Sequence, residues 1–263
     1  MNDLEDSNGN SLLVKDRETV GAKLIVGERI LGLVDPQTLT RKEFESSPEL
    51  LFHGSSRPFT FSRDFDYHSK EYLSIDEGSS ATSGFGFYAT DKENASDYST
   101  VRAGLSTGEK QPHITSILPY HARCLDLRLK SNPTENAPIP KDFADKWISY
   151  FKDFTENPDR YANVDSHMAP HLKDADADYL KRLKEISEGE ITDLKKLLHT
   201  HEYPSPYWMY TFANFVLKEG YDGLVINEGS EKSKNKSVTT FVFYNLDKIG
   251  TYETWHKEPE ATN

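Results

Sequence analysis

The chain has 263 residues and a formal net charge of −12, with a sequence pI near 5.2. Folding at this length removes about 70–75% of the unfolded surface from water, enough for one large domain or one domain with decorations. The acidity excludes a broad basic face for duplex nucleic acid, whose phosphates dominate affinity, but leaves room for a small basic pocket. The single cysteine, Cys124, excludes an intrachain disulfide and an all-cysteine metal site. The polar, acidic N-terminus has no signal-peptide pattern and no apolar run reaches about 18 residues, so a cytoplasmic protein without a membrane partner is expected.

Residues 1–11 hold too little apolar surface to offset ordering entropy and are expected to be disordered. Two short strands are expected around Leu12–Val14 and Lys23–Val26, punctuated by Gly21, Gly27 and Gly32. Thr40 and Glu43 have the spacing of a helix capping box. Glu49–His53 is the first core strand, and 56–83 reads as a loop. Phe85–Ala89 is a second strand, and a helix starting at Asp91 or Lys92 turns Ala95 and Tyr98 inward. Ile114–Leu118 and Ala122–Leu129 alternate as strands, with Cys124 a buried structural thiol.

The character then changes. Phe143, Trp147, Tyr150, Phe151 and Phe154 recur at helical spacing, and further helical patterns run to Leu217. Residues 140–218 are therefore read as a helical insertion in a strand-rich domain spanning 12–263. Strands return in Gly223–Ile226 and Val238–Tyr244, on either side of a charged loop at 230–237. His167 and His171 lie four apart, but Pro170 interrupts them, and no metal is expected. Asp174, Asp176 and Asp178 lack the glycine and terminal glutamate of a calcium loop.

Two segments carry chemistry in their order. LLFHGSS delivers His53, Gly54 and Ser55 at a strand end, and GFGFYAT delivers Gly86, Tyr88 and Ala89 about thirty residues on. The glycines do not form a phosphate-binding G-x-G-x-x-G, because they precede a strand. Later, Gly220-Tyr221-Asp222-Gly223 opens one strand and TFVFYNLDKI follows a loop. In this order the segments resemble the ADP-ribosyltransferase superfamily, in the His-Tyr branch that prophage and polymorphic toxins share with the poly-ADP-ribose polymerases. The resemblance covers about 51–98 and 220–249.

The resemblance implies an α+β fold with a split, antiparallel-rich β core, and NAD as substrate. It implies that His53 holds a ribose hydroxyl, that the Gly54 backbone holds the nicotinamide amide and that Tyr88 stacks on the nicotinamide ring. His53 and Tyr88 are then expected on neighbouring strands facing one cleft. Ser55, Arg57, Gly86, Ala89 and Tyr98 complete the implied NAD-binding set, and Arg57 or Arg63 is either a surface charge or a pyrophosphate contact. The activity implied is mono-ADP-ribosyl transfer to a protein or nucleic-acid acceptor by a bacterial or phage toxin or effector. Residues 140–218 are open to an antitoxin or target protein.

One position departs from the family pattern. Thr240 stands where the family strand carries its catalytic glutamate, and a threonine offers no negative charge. Glu228 or Glu231 then supplies the charge, or the acceptor serves as base, or the protein binds NAD without transferring anything. Water as acceptor, giving an NAD glycohydrolase, is a further alternative. Polymer extension, which depends most on the glutamate, is not expected.

Overall fold

The computed structural model describes residues 27–55, 60–63, 86–104, 112–128, 141–157, 173–174, 176–181, 183–184, 206–229 and 237–256, preceded by three short strand pieces. Those pieces are β1 (Leu4–Glu5), β2 (Ser11–Leu12) and β3 (Val14–Lys15). β1 pairs with β2, so part of the N-terminal stretch expected to lack order is paired. β4 (Gly27–Leu31) follows, then α1 (Arg41–Glu45) and β5 (Leu51–Ser55). The capping box forms: the Thr40 amide donates to Glu43 Oε2 at 2.8 Å, and the Glu43 amide donates to Thr40 Oγ1 at 3.3 Å.

β6 (Phe87–Ala89) and α2 (Lys92–Gly104) come next, then β7 (His113–Pro119) and β8 (Ala122–Asp126). The helical region contributes α3 (Lys141–Glu156) and α4 (Pro206–Lys218), and the described residues within 173–184 are helical too. β9 (Gly223–Gly229), β10 (Ser237–Phe243), β11 (Ile249–Gly250) and α5 (Tyr252–His256) complete the chain. Lys23–Val26 and most of 230–237 lie outside the described residues.

The fold is α+β. A six-stranded sheet has the order β3-β4-β8-β9-β10-β6, and a three-stranded sheet the order β11-β7-β5. Only the β8–β9 pair is parallel among the described pairings. The chain passes between sheets at the Tyr120–His121 corner, where His121 takes a left-handed φ of 47°. A single bridge stitches the sheets at their other end: Phe52 and Thr90 exchange amide–carbonyl bonds of 2.8 and 2.9 Å.

Alternation gives the large sheet two apolar faces. One carries Leu125, Leu224, Ile226 and Val242 and lies under the helices, packed with Trp147, Phe151, Tyr179, Leu183, Phe212 and Phe215. The aromatic spacing that suggests an insertion thus has a concrete task, and Trp147 meets Phe212 edge-on at 5.3 Å. The other face carries Phe87, Ala89, Cys124, Val225 and Phe243 and packs on Ile117 and Ile249 of the small sheet. Cys124 is fully buried there, and burial pushes its thiol pKa up, as a structural thiol requires.

Asp222 ties the strand ends together. Its carboxylate accepts from the Arg123 amide at 2.8 Å and the Asn245 side chain at 2.7 Å, and its carbonyl accepts from the Tyr244 amide at 2.8 Å. Gly223 beside it has no room for a side chain, because a Cβ would lie 2.1 Å from the Val242 carbonyl oxygen. Asp222→Ala leaves at least two donors without an acceptor and is expected to cost about 2 kcal/mol. The exposed Asp247→Ala should stay within about 0.5 kcal/mol. Urea denaturation of both measures this, and equal losses would remove Asp222 from the role.

Candidate active site

His53 and Tyr88 stand on adjacent strands at the place where the sheets part. Beyond the Phe52–Thr90 bridge the β5–β6 ladder stops among the described residues, and the Tyr88 carbonyl instead accepts from the His53 ring, with Nδ1 at 2.7 Å. The ring also lies on Phe87, with centroids 4.5 Å apart. Burial is the largest influence on His53 and lowers its pKa; the bond to Tyr88 opposes this and nearby His113 adds to it. The ring is therefore neutral at pH 7. A carbonyl only accepts, so the proton sits on Nδ1 and Nε2 presents a lone pair. That tautomer suits a hydroxyl donor.

Gly54 is fixed from one side by α2. A Cβ there would lie 2.1 Å from the carbonyl oxygen of Ala95, which is buried. The helix is anchored by Asp91, whose Oδ1 accepts from the Asn94 amide at 2.9 Å. Alternate residues of an antiparallel strand turn their backbone groups toward the same neighbour. Phe52 turns toward β6, so Gly54 directs its N–H and C=O the same way, into the split beyond the bridge. One donor and one acceptor on one edge match a primary amide.

The register sorts the remaining residues. Tyr88 opposes Val242 on β10, Thr240 opposes Ile226 on β9, and Glu228 opposes Val238. Tyr88, Thr240 and Glu228 thus share the sheet face that Val242 and Ile226 occupy, whereas Phe241 and Phe243 take the other. Thr240 is buried, with 5% of its surface exposed, while Glu228 and Tyr88 are partly buried. Glu228 is the diagonal neighbour of Thr240, a separation of about 7–8 Å between backbones that a glutamate can span.

The adjacency of His53 and Tyr88 is as the sequence suggests, but the expectation that both face one cleft is not met, because strand alternation sends Tyr88 to the face opposite Phe87. The His53 ring lies on the Phe87 side of β6, and Tyr88 leaves on the opposite side, touching both hydrophobic clusters. A ligand that contacts both must occupy the split itself. Ala89 and Gly86 are buried, and a Cβ on Gly86 would meet Val242 Cγ1 at 2.8 Å, so both have packing reasons to be small. Ser55 opposes His113, and Tyr98 sits partly buried on α2, one turn beyond Ala95.

Arg63 has a structural partner: its guanidinium lies 4.2 Å over the Trp255 ring and its Nε donates to the Ile249 carbonyl at 3.5 Å. Arg57, Glu231, His167 and His171 lie outside the described residues. Sequence reasoning missed His113 and Asp222. Asp222 was in view inside its glycine-flanked motif, but its partners become visible only once three distant strand ends meet. Among the described residues no cluster of His, Cys, Asp or Glu is placed to hold a metal ion, and no helix is long and apolar enough to cross a membrane. No family model, curated protein or solved structure matches the chain.

The His53 tautomer has a measurable consequence. The unfolded ring takes up a proton near pH 6.5 and the folded ring resists it, so the unfolded state binds more protons between the folded value and about 6.5. Stability must therefore fall as pH drops through that window. His53→Asn keeps a donor near the Nδ1 position without titrating. Wild type should lose stability relative to His53→Asn as pH falls below about 6.5, read from urea midpoints. A difference independent of pH would contradict a buried neutral imidazole.

Proposed function

We propose that the chain transfers a single ADP-ribosyl group from NAD to a macromolecular acceptor, as a toxin or effector of bacterial or phage type. The observation that carries this reading is the neutral His53 imidazole held on the Tyr88 carbonyl where the β5–β6 ladder opens. Beside it, the Gly54 edge offers one donor and one acceptor to a carboxamide, and Tyr88 supplies an aromatic face for a nicotinamide ring. The sequence motifs point to the same ligand, and the fold is α+β, the coarse class that they imply.

In the proposed reaction the bond between ribose C1′ and the nicotinamide nitrogen breaks, and nicotinamide leaves with the electron pair. An acceptor oxygen or nitrogen bonds to C1′ and gives up its proton. Positive charge grows on the sugar meanwhile, and a preorganised negative group is worth most at that moment. Thr240 contributes only a hydroxyl. Glu228, on the same face and one diagonal away, is the carboxylate that the register offers instead. An NAD-binding protein without transfer is the reading that Thr240 favours if Glu228 plays no part.

The test is nicotinamide release from labelled NAD in the presence of cell lysate, with protease and nuclease digestion of the labelled product. His53→Ala and Tyr88→Ala should both abolish labelling, and Tyr88→Ala should weaken NAD binding by about 1–3 kcal/mol in calorimetry. Glu228→Gln should slow release roughly 10²-fold or more and Thr240→Ala far less. Loss of release in Thr240→Ala with Glu228→Gln unaffected would refute the carboxylate assignment. Release without any labelled macromolecule would make the protein a glycohydrolase. Wild type that binds NAD and releases nothing would make it a binding module.

A further inference from the structure

β4 carries a cation that joins no ion pair among the described residues. Arg29 opposes Cys124, which puts its side chain on the face of Cys124, Asp126, Val225 and Phe241, where the two sheets meet. It is partly buried, and its guanidinium stands 5.9 Å from the centre of the Phe241 ring. Its Nε is buried without a hydrogen-bond partner. Among the described residues Arg29 joins no ion pair, although Asp126 and Glu49 are the carboxylates whose charge it feels.

Both carboxylates are engaged elsewhere. Asp126 is gripped by Arg128 through two bonds, Nε to Oδ1 at 2.8 Å and Nη2 to Oδ2 at 2.6 Å. Glu49 Oε1 accepts from the Gly32 amide at 3.2 Å. Two guanidiniums therefore share one carboxylate in a partly buried setting. Burial first, and Arg128 second, hold the Arg29 pKa below its ordinary value. An unbalanced charge removed from water is costly, and a guanidinium fork meets phosphate oxygens in matching geometry.

We propose that Arg29, with Arg128 beside it and Phe241 beneath it, binds a phosphate-type anion. The chemistry has two sources: the pyrophosphate of a dinucleotide, or a phosphate on a macromolecular acceptor. Only the choice between them rests on the proposed NAD reaction. The anion site itself stands on the Arg29 geometry.

The experiment is calorimetric titration of the whole protein with inorganic pyrophosphate at constant ionic strength. Arg29→Gln should raise Kd roughly 10- to 100-fold, the loss expected for a charge-assisted bond. Arg29→Lys should be intermediate, because it keeps charge and loses the fork. Arg128→Gln should also weaken binding, since it releases Asp126 to pair with Arg29. Arg41→Gln, which removes a cation paired with Glu253 on another surface, should bind like wild type. No binding by wild type at millimolar pyrophosphate, or equal losses in Arg29→Gln and Arg41→Gln, would overturn the proposal. An equal loss of NAD affinity in Arg29→Gln assigns the site to the dinucleotide; unchanged NAD affinity assigns it to a phosphorylated acceptor. Wild type that takes pyrophosphate but no NAD would remove the proposed reaction and leave the anion site in place.

Discussion

The Tyr88 carbonyl accepts from an imidazole where the ladder pattern calls for the Gly54 amide. That exchange ends the pairing of β5 with β6 after one bridge. It also fixes the tautomer of His53, because only a protonated Nδ1 can satisfy a carbonyl. The split beyond the bridge and the tautomer of the ring go with this one bond, whereas the neutral state of the ring comes from burial, which the bond opposes, and the direction of the Gly54 edge follows from the Phe52 bridge. Ala95 holds the arrangement from α2, since its carbonyl occupies the space a side chain at position 54 would need.

The second anchor lies in the large sheet, at the end of β10 that pairs with β6. Asp222 joins the start of β8 to the turn after β10, and Gly223 lets β9 approach the Val242 carbonyl. Asp222 and Gly223 fix that end of the β9–β10 ladder, and a slip of one residue would exchange the two faces. Thr240 and Glu228 share a face with Tyr88 for that reason. The aromatic layer of α3 and α4 adds a further constraint by burying Leu224, Ile226 and Val242 on that side.

Local chemistry made much of this legible. The Thr40–Glu43 box, the inward helix of Ala95 and the aromatic spacing of 143–154 are set by neighbours three or four residues away, and the structure has them all. β4 was not legible in place, because Glu28 and Arg29 break its apolar alternation and its partner β8 is far along the chain. α5 was missed too: it owes its position to Trp255, whose Nε1 donates to the Leu118 carbonyl at 3.2 Å across the fold. At the site, sequence order pairs His53 with Tyr88 correctly as neighbours. It puts both rings in one cleft, and the structure sends them to opposite sides of β6, since that depends on a bridge at Phe52 and not on either residue.

The charges follow a similar logic of position over composition. A chain with net charge −12 offers few places where an anion is welcome. Surface cations such as Lys141 and Lys146 are spoken for by nearby carboxylates in exposed pairs worth little to stability. Arg29 differs because it is partly buried on the sheet while Arg128 holds Asp126 on the same face. The strand alternation that puts Thr240 with Tyr88 also puts Phe241 under Arg29, so Arg29 and Thr240 lie on opposite faces of the sheet. Thr240 and Phe241, the β10 residues on which the two sites rest, are consecutive. A change of register there would disturb the two together.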